Sequence, residues 1–322
     1  LNFKTTLHDI IRERYCEKNQ ISNLATKKDY STQMYPYYTR KLEDNLYEPL
    51  DPLHQNQYNK GLGGELREGK SIRKRPMKMK SIRSSSALAY NIFGNKLVEI
   101  KSNSFGLPAK VYKIAYETPH RLIKSGNRTV SAWADVVLLS LDKEDCVIVE
   151  SKMFEWLLDK PKSISEKYLL KENYISQDVG CLIMPTIKQL LSGKEIIKKG
   201  QKYFSPINDQ YDGIQILLHI IGFLTEIELG KYKNVKRVHI VNMIWTLNNT
   251  ELLGTYSNKY KKLLEKEKKQ SELFKKYFDE HLSTIFTREY GIVASFNAAE
   301  HFQMIDALNI KENQRNYLIS RY

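Results

Sequence analysis

Asp135 stands inside an apolar run, Trp133-Ala134-Asp135-Val136-Val137, and fifteen residues further on the run Val147-Ile148-Val149 ends in Glu150-Ser151-Lys152. A carboxylate on a core strand is costly unless it is paired or bound to a cation. Side chains alternate along a strand, so Glu150 and Lys152 share a face and Ser151 points away. With Lys143-Glu144 as a two-residue turn, Leu141 pairs with Cys146, Asp135 pairs with Lys152, and Glu150 lies on the diagonal. Directly paired side chains are about 5 Å apart and diagonal ones about 7 Å, which suits two carboxylates sharing a divalent cation. One residue more or less in the turn would break that register. Two hard oxygen ligands with open positions describe a magnesium site, with manganese as a substitute, that completes itself with water and substrate phosphate. The lysine beside it would orient a water and offset charge on a phosphorane-like transition state. The competing account is a salt bridge at a strand end; three ionisable groups on apolar strands favour the catalytic one.

The elements that position these residues follow from pattern. Ser84–Phe93 opens with capping serines and stops at Gly94, which predicts a helix. Strands are predicted at 110–117, 129–141, 146–152 and 235–247, and a helix at 211–229. On that helix Gln215 and His219 are one turn apart; His219 is read as a satisfied core histidine and Gln215 as the residue facing the site. Residues 1–20 read as a helix, and the tyrosine-rich stretch to residue 60, broken by Pro36, Pro49 and Pro52, as an extension fastened to the main domain. The expected architecture is α/β: a mixed central sheet flanked by helices over 61–250, with a helical insertion at 153–205 bounded by Pro161 and Pro185, the N-terminal extension 1–60, and a helical C-terminal region 251–322.

The chain of 322 residues carries 51 Lys and Arg against 37 Asp and Glu, a formal charge of +14. This makes a polyanion the first partner to consider. Residues 67–83 hold eight cations against Glu68 alone, and the arm Arg73, Lys74, Arg75, Lys78, Lys80 and Arg83 reads either as a phosphate-contacting segment or as a solvated loop. The lysine-rich stretch 259–276 carries apolar residues at helical spacing and reads as a helix with a solvated face. A hydrophobic content of 41% with 27% charged residues argues against disorder. The longest apolar run, Ile214 to Leu224, is interrupted by Gln215 and His219 and is too short for a bilayer. Three dispersed cysteines and no secretory pattern lead to an expectation of cytoplasmic residence. HExxH and G-x-S-x-G motifs are absent.

Asp135 followed by Glu150-Ser151-Lys152 resembles the PD-(D/E)xK nuclease superfamily, and the predicted helix–strands–helix–strand order over about Gly61 to Leu247 matches its core. The segment Arg83-Ser84-Ser85-Ser86-Ala87-Leu88-Ala89-Tyr90-Asn91-Ile92-Phe93-Gly94 is similar to the opening helix of a bacterial restriction-endonuclease group of that superfamily. Ala134 stands where the name-giving proline would be. The resemblance implies that Asp135 and Glu150 bind Mg²⁺, joined by the Ser151 carbonyl, and that Lys152 positions the attacking water. It also implies a further acid from an upstream helix, for which Glu65 is the first choice and Glu99 the second. The implied activity is hydrolysis of DNA of restriction type, with double-stranded DNA as the expected partner; cutting both strands would favour a homodimer on geometric grounds. Two alternatives stay open: a non-catalytic nucleic-acid-binding protein on the same fold, and a repair or RNA-processing nuclease.

Overall fold

The computed structural model describes residues 2–26, 35–61, 63–69, 76–95, 97–101 and 106–322. In chain order the elements are α1 (Phe3–Lys18), α2 (Pro52–Lys60), α3 (Ser85–Phe93), β1 (Val98–Glu99), β2 (Val111–Ser125), β3 (Arg128–Ser140), β4 (Asp145–Lys152), α4 (Glu155–Leu158), β5 (Ile164–Ser165), α5 (Gln177–Gln189), β6 (Leu191–Lys198), β7 (Gln201–Pro206), α6 (Gly213–Glu228), β8 (Arg237–Ile244), α7 (Ser257–Tyr277), α8 (Ser283–Tyr290), β9 (Val293–Glu300), α9 (His301–Ala307) and α10 (Glu312–Arg321).

The fold is α/β. A six-stranded mixed sheet runs β1-β2-β3-β4-β8-β9, antiparallel from β1 to β4 and parallel from β4 to β9. A strand buried on both faces needs apolar residues at every position, and β4 supplies Cys146-Val147-Ile148-Val149. Odd residues of β4 (Val147, Val149) join a core with α1, α3, α9 and α10; even ones (Cys146, Ile148) join a second core with α5, α6 and α8. The two helices nearest the site form for local reasons. Ser84 caps α3 by accepting from Ala87 N at 3.2 Å, and Gly94, at φ +77°, closes it. Asp212 caps α6 by accepting from Gln215 N at 3.2 Å. α6 is buried around most of its circumference, as its apolar sequence requires.

The position of α6 depends on Gly222. A Cβ there would lie 2.6 Å from His120 Cβ and 3.0 Å from the His120 carbonyl oxygen on β2. Gly222→Ala therefore forces helix and strand apart, at a cost of about 1–3 kcal/mol. Urea denaturation checks this, and an unchanged midpoint would refute the close-packing account.

Four sequence expectations change. The segment 153–205 is not helical throughout: β5, β7 and β6 form a separate antiparallel sheet. Gly193 and Gly200, both at positive φ, provide the bend and turn that break a helical reading. Pro185 lies inside α5 rather than at its end, on an exposed face where the missing N–H costs least. The C-terminal region is not helical throughout either. β9 pairs in parallel with β8, tertiary pairing having overridden the helix-compatible Ala298-Ala299-Glu300. Finally, Pro52 starts α2 instead of breaking it, since the first helical position needs no N–H donor. Tyr58 of α2 is buried and stacks on Tyr116 of β2 at 5.2 Å, which holds this part of residues 1–60 to the main sheet.

Candidate active site

The loop after β3 is four residues long, Leu141 to Glu144, so the register differs by two from the expected one: Leu139, not Leu141, pairs with Cys146. A shift of two preserves which face each side chain takes, and it moves Asp135 from opposite Lys152 to abreast of Glu150. The β3–β4 pairing ends at Val136↔Val149. Beyond that point the strands fork, and the Ser151 amide donates to Asp135 Oδ2 at 2.7 Å in place of a ladder bond. On the other side of β3, the flanking pairs Tyr116↔Val136 and Thr118↔Ala134 put Glu117 abreast of Asp135. Glu150 pairs with Asn242. One row thus crosses four strands: Glu117, Asp135, Glu150 and Asn242.

Lys152 and α6 surround the innermost acid. Lys152 Nζ donates to Glu150 Oε1 at 2.6 Å and to Gln215 Oε1 at 2.8 Å, and Gln215 Nε2 donates to Glu150 Oε1 at 2.6 Å. His219, a turn further along α6, brings Nε2 to 2.9 Å from Glu150 Oε2 but off the line of a hydrogen bond, so Oε2 is buried without one. Ser151 faces the other way, its hydroxyl donating to the Ser85 carbonyl of α3 at 3.2 Å.

Charge is unevenly compensated along the row. Burial alone would raise Glu150, but Lys152 and His219 outweigh it and hold the carboxyl down at about 2. Burial opposes charge on Lys152, yet Glu150 and Asp135 keep its ammonium above the usual lysine range. Asp135 is pushed well up by burial and then by Glu150 and Glu117. Glu117, 8% exposed, rises to about 8 through burial, Glu65 and Glu150. Its backbone sits at φ +44°, an unfavourable conformation for a glutamate. A Cβ on Gly61 would lie 2.7 Å from Glu117 Oε2, so the glycine leaves room for this carboxylate. Asp135 and Glu117 together present hard oxygen donors whose negative charge the neighbouring protein groups do not neutralise. That donor chemistry fits a divalent cation. Among the described residues, no three His, Cys, Asp or Glu side chains converge into a metal-holding group. A cation held at Asp135 and Glu150 would complete its shell largely from water and substrate, the habit of magnesium.

Asp135, Glu150, Lys152 and Gln215 are therefore brought together, with Ser151 contributing its amide. Glu65 is buried close enough to raise Glu117, and its Oε1 lies 3.5 Å from Lys78 Nζ; it is an outer neighbour of the row. Glu99 lies on edge strand β1 and accepts from Asn309 at 2.7 Å, away from the row. In the basic arm, Arg73, Lys74 and Arg75 fall outside the described residues. Lys80 is mostly buried and pairs with Glu68 at 2.9 Å, and Arg83 packs 2.8 Å from His8 Nδ1 beside α1, so neither is free to meet phosphate. Lys78, half-exposed, keeps its head near solvent.

Sequence reasoning missed Glu117, set His219 aside, and had no means to place Glu267. This last residue, on α7, is 3% exposed with Oε2 unpartnered, and burial followed by Asp212 raises it to about 7. It faces Lys152 and Glu150 across a cavity of about 90 Å³ also lined by Asp212, Gln215 and Asn242. Three larger hollows adjoin this cavity. One of about 210 Å³ shares Asn242 and Glu267 with it; one of about 300 Å³ shares Glu155 and Asp159 and reaches Lys78 and Arg83; and one of about 490 Å³ shares Lys162, Asp212 and Gln215.

Comparison with protein-family models, with curated proteins and with solved structures finds no match to this chain. Among the described residues no helix is long and apolar enough to cross a membrane.

Proposed function

We propose that the protein is a metal-dependent nuclease of restriction-endonuclease-like fold that hydrolyses phosphodiester bonds in double-stranded DNA. The observation that carries this reading is the row at the fork: Asp135 beside Glu150, with Lys152 bound to Glu150 and Gln215. Asp135 and Glu150 would hold Mg²⁺, or Mn²⁺ in its place, with the Ser151 carbonyl as a further donor. When bound, the ion supplies Lewis-acid stabilisation of the charge that develops on the phosphate.

The chain's own residues do the rest. Lys152, held as an ammonium, donates hydrogen bonds to the attacking water or a phosphate oxygen and offsets negative charge in the transition state. A charged lysine does not take the proton of the water. Gln215 bonds both Lys152 and Glu150 and fixes their relative position. Water attacks phosphorus and gives up a proton to solvent, the bond to the leaving oxygen breaks and that oxygen takes a proton from solvent, and a 5′- or 3′-phosphate end and a free hydroxyl remain. Cutting both strands calls for two such sites, most simply a symmetric pair of chains.

Supercoiled plasmid and mixed duplex fragments are the test substrates. With Mg²⁺, nicked and linear products should accumulate, EDTA should stop them, and sequencing of the ends should show whether cutting is site-specific. No EDTA-sensitive cleavage of duplex DNA, single-stranded DNA or RNA would end the nuclease reading.

A further inference from the structure

The β6–β7 hairpin projects from the segment between β4 and α6. β6 is the edge of its small sheet, and nearly every residue from Ser192 to Lys198 is exposed, on both faces. Beyond the pairing of Tyr203 and Phe204 with β5 the hairpin is a two-stranded ribbon, which with so little buried surface adds little to stability, and Ile197 at its far end is 73% exposed. Its turn, Lys199-Gly200, has both residues at positive φ (50° and 74°), which matches the natural strand twist and keeps the ribbon regular from Glu195 to its tip.

The ribbon carries Lys194, Lys198, Lys199 and Lys202 against a single acid, Glu195. These cations are barely neutralised. Lys202 is 3.8 Å from Glu195, Lys198 reaches only the Ser163 hydroxyl and the Tyr203 ring, and the Lys194 and Lys199 side chains have no partner among the described residues. On the lysine-rich helix α7, Lys266, Lys268, Lys275 and Lys276 each pair with a carboxylate, whereas Lys259, Lys261, Lys262 and Lys269 have no carboxylate partner among the described residues. The hairpin is therefore one of two concentrations of unneutralised positive charge, and its placement distinguishes it.

Its placement relative to the site matters equally. The hollow of about 490 Å³ is lined by Gln215 and His219, the neighbours of Glu150, by Tyr203 of β7, and by Lys162 and Lys167. One hollow thus touches both the residues that hold Glu150 and the ribbon.

We propose that the β6–β7 hairpin is a docking element for double-stranded DNA, its four lysines contacting backbone phosphates beside the bond held at the acidic row. A two-stranded ribbon is one of the elements the major groove admits, and each phosphate neutralised by a lysine releases counterions and steepens the salt dependence. The proposal rests on the nuclease reading for the nature of its partner.

Binding is measured by fluorescence anisotropy on a short labelled duplex, in EDTA so that no cleavage intervenes, across a salt series. Full-length protein is compared with the fourfold variant Lys194→Ala, Lys198→Ala, Lys199→Ala, Lys202→Ala. The variant should bind about 10- to 100-fold more weakly, with the slope of log affinity against log salt reduced by about one for each lysine in contact. Lys194→Glu with Lys199→Glu is the second variant. Neither side chain has a partner to lose, so a similar weakening with an unchanged unfolding midpoint separates docking from misfolding. Wild-type affinity and slope in both variants would overturn the proposal and leave the nuclease reading intact. Failure of the unmutated protein to bind or cut duplex DNA would overturn both.

Discussion

Lys152→Met should reduce DNA cleavage by at least about 10²–10³-fold at every pH, the loss typical of removing one positioned charge donor from a transition state. Duplex affinity should stay close to that of the unmutated protein, because Lys152 is largely buried against Glu150 and Gln215 and not on the exposed cationic surfaces. Methionine preserves the length of the side chain and removes only the ammonium. Glu150, 4% exposed, then loses its strongest partner and keeps Gln215 and the off-line His219. The variant is expected to be less stable by about 3 kcal/mol, the usual cost of unpairing a buried charge. Cleavage is therefore assayed well below the unfolding midpoint. Asp135→Ala should be equally inactive, and Asp135→Asn separates its two roles. An amide oxygen can still accept the Ser151 N–H but no longer contributes negative charge, so an inactive yet fully stable Asn variant assigns the effect to charge. Full cleavage by purified Lys152→Met or Asp135→Ala would remove the basis of the assignment.

What was legible in the chain depended on local signals. The capped helix α3, the central strand β4 and the apolar α6 are each written in consecutive residues, so Asp135, Glu150, Lys152 and Gln215 could be named together. Parity along β4 survived an error of two in the β3–β4 register, because only an odd shift turns a side chain over. Glu117 was lost for a more specific reason. Gly126-Asn127 is a two-residue turn closed by Ser125↔Arg128, a visible hairpin signal, and it extends β2 through Glu117. Counting back from that turn places Thr118, not Glu117, opposite Asp135, because a bulge between Arg121 and Ile123 shifts the register by one. A bulge set by packing has no local signature. Glu267 was out of reach altogether: α7 reads as a lysine-rich surface helix, and only the tertiary fold buries one of its glutamates against the site. The same holds for β9, a strand by virtue of its pairing with β8.

Without divalent cations, the thermal midpoint of the protein relative to that of Glu117→Gln should fall as pH rises from about 5 to about 8, by an amount on the order of a few °C. The sign follows from Glu117, whose folded-state pKa of about 8 lies above the ordinary carboxylate value because of burial, Glu65 and Glu150. A raised carboxyl binds its proton more tightly in the folded state. Its contribution is fully present below the ordinary pKa and is lost as pH rises through about 8. Asp135 and Glu267 are raised as well and act in the same direction. Carboxyls held low, such as Asp145 between Arg237 and Lys110, act at the acid end: their contribution is present above the ordinary value and is lost below about pH 4, outside this window. Mg²⁺ replaces protons as the compensating charge, so it should raise the midpoint at pH 8 and have little effect at pH 5. Glu117→Gln should remove the falling component due to Glu117 in EDTA and weaken the response to Mg²⁺ at pH 8. The slope left in that variant combines Asp135 and Glu267 with His8, His120, His239 and His301, which burial holds below the usual imidazole range and which act in the opposite direction as pH rises to about 6.5. A difference between the protein and Glu117→Gln that is level between pH 5 and 8 in EDTA, or a Mg²⁺ response of equal size at both ends, would mean that the row Glu117, Asp135 and Glu150 does not exchange protons for a metal ion.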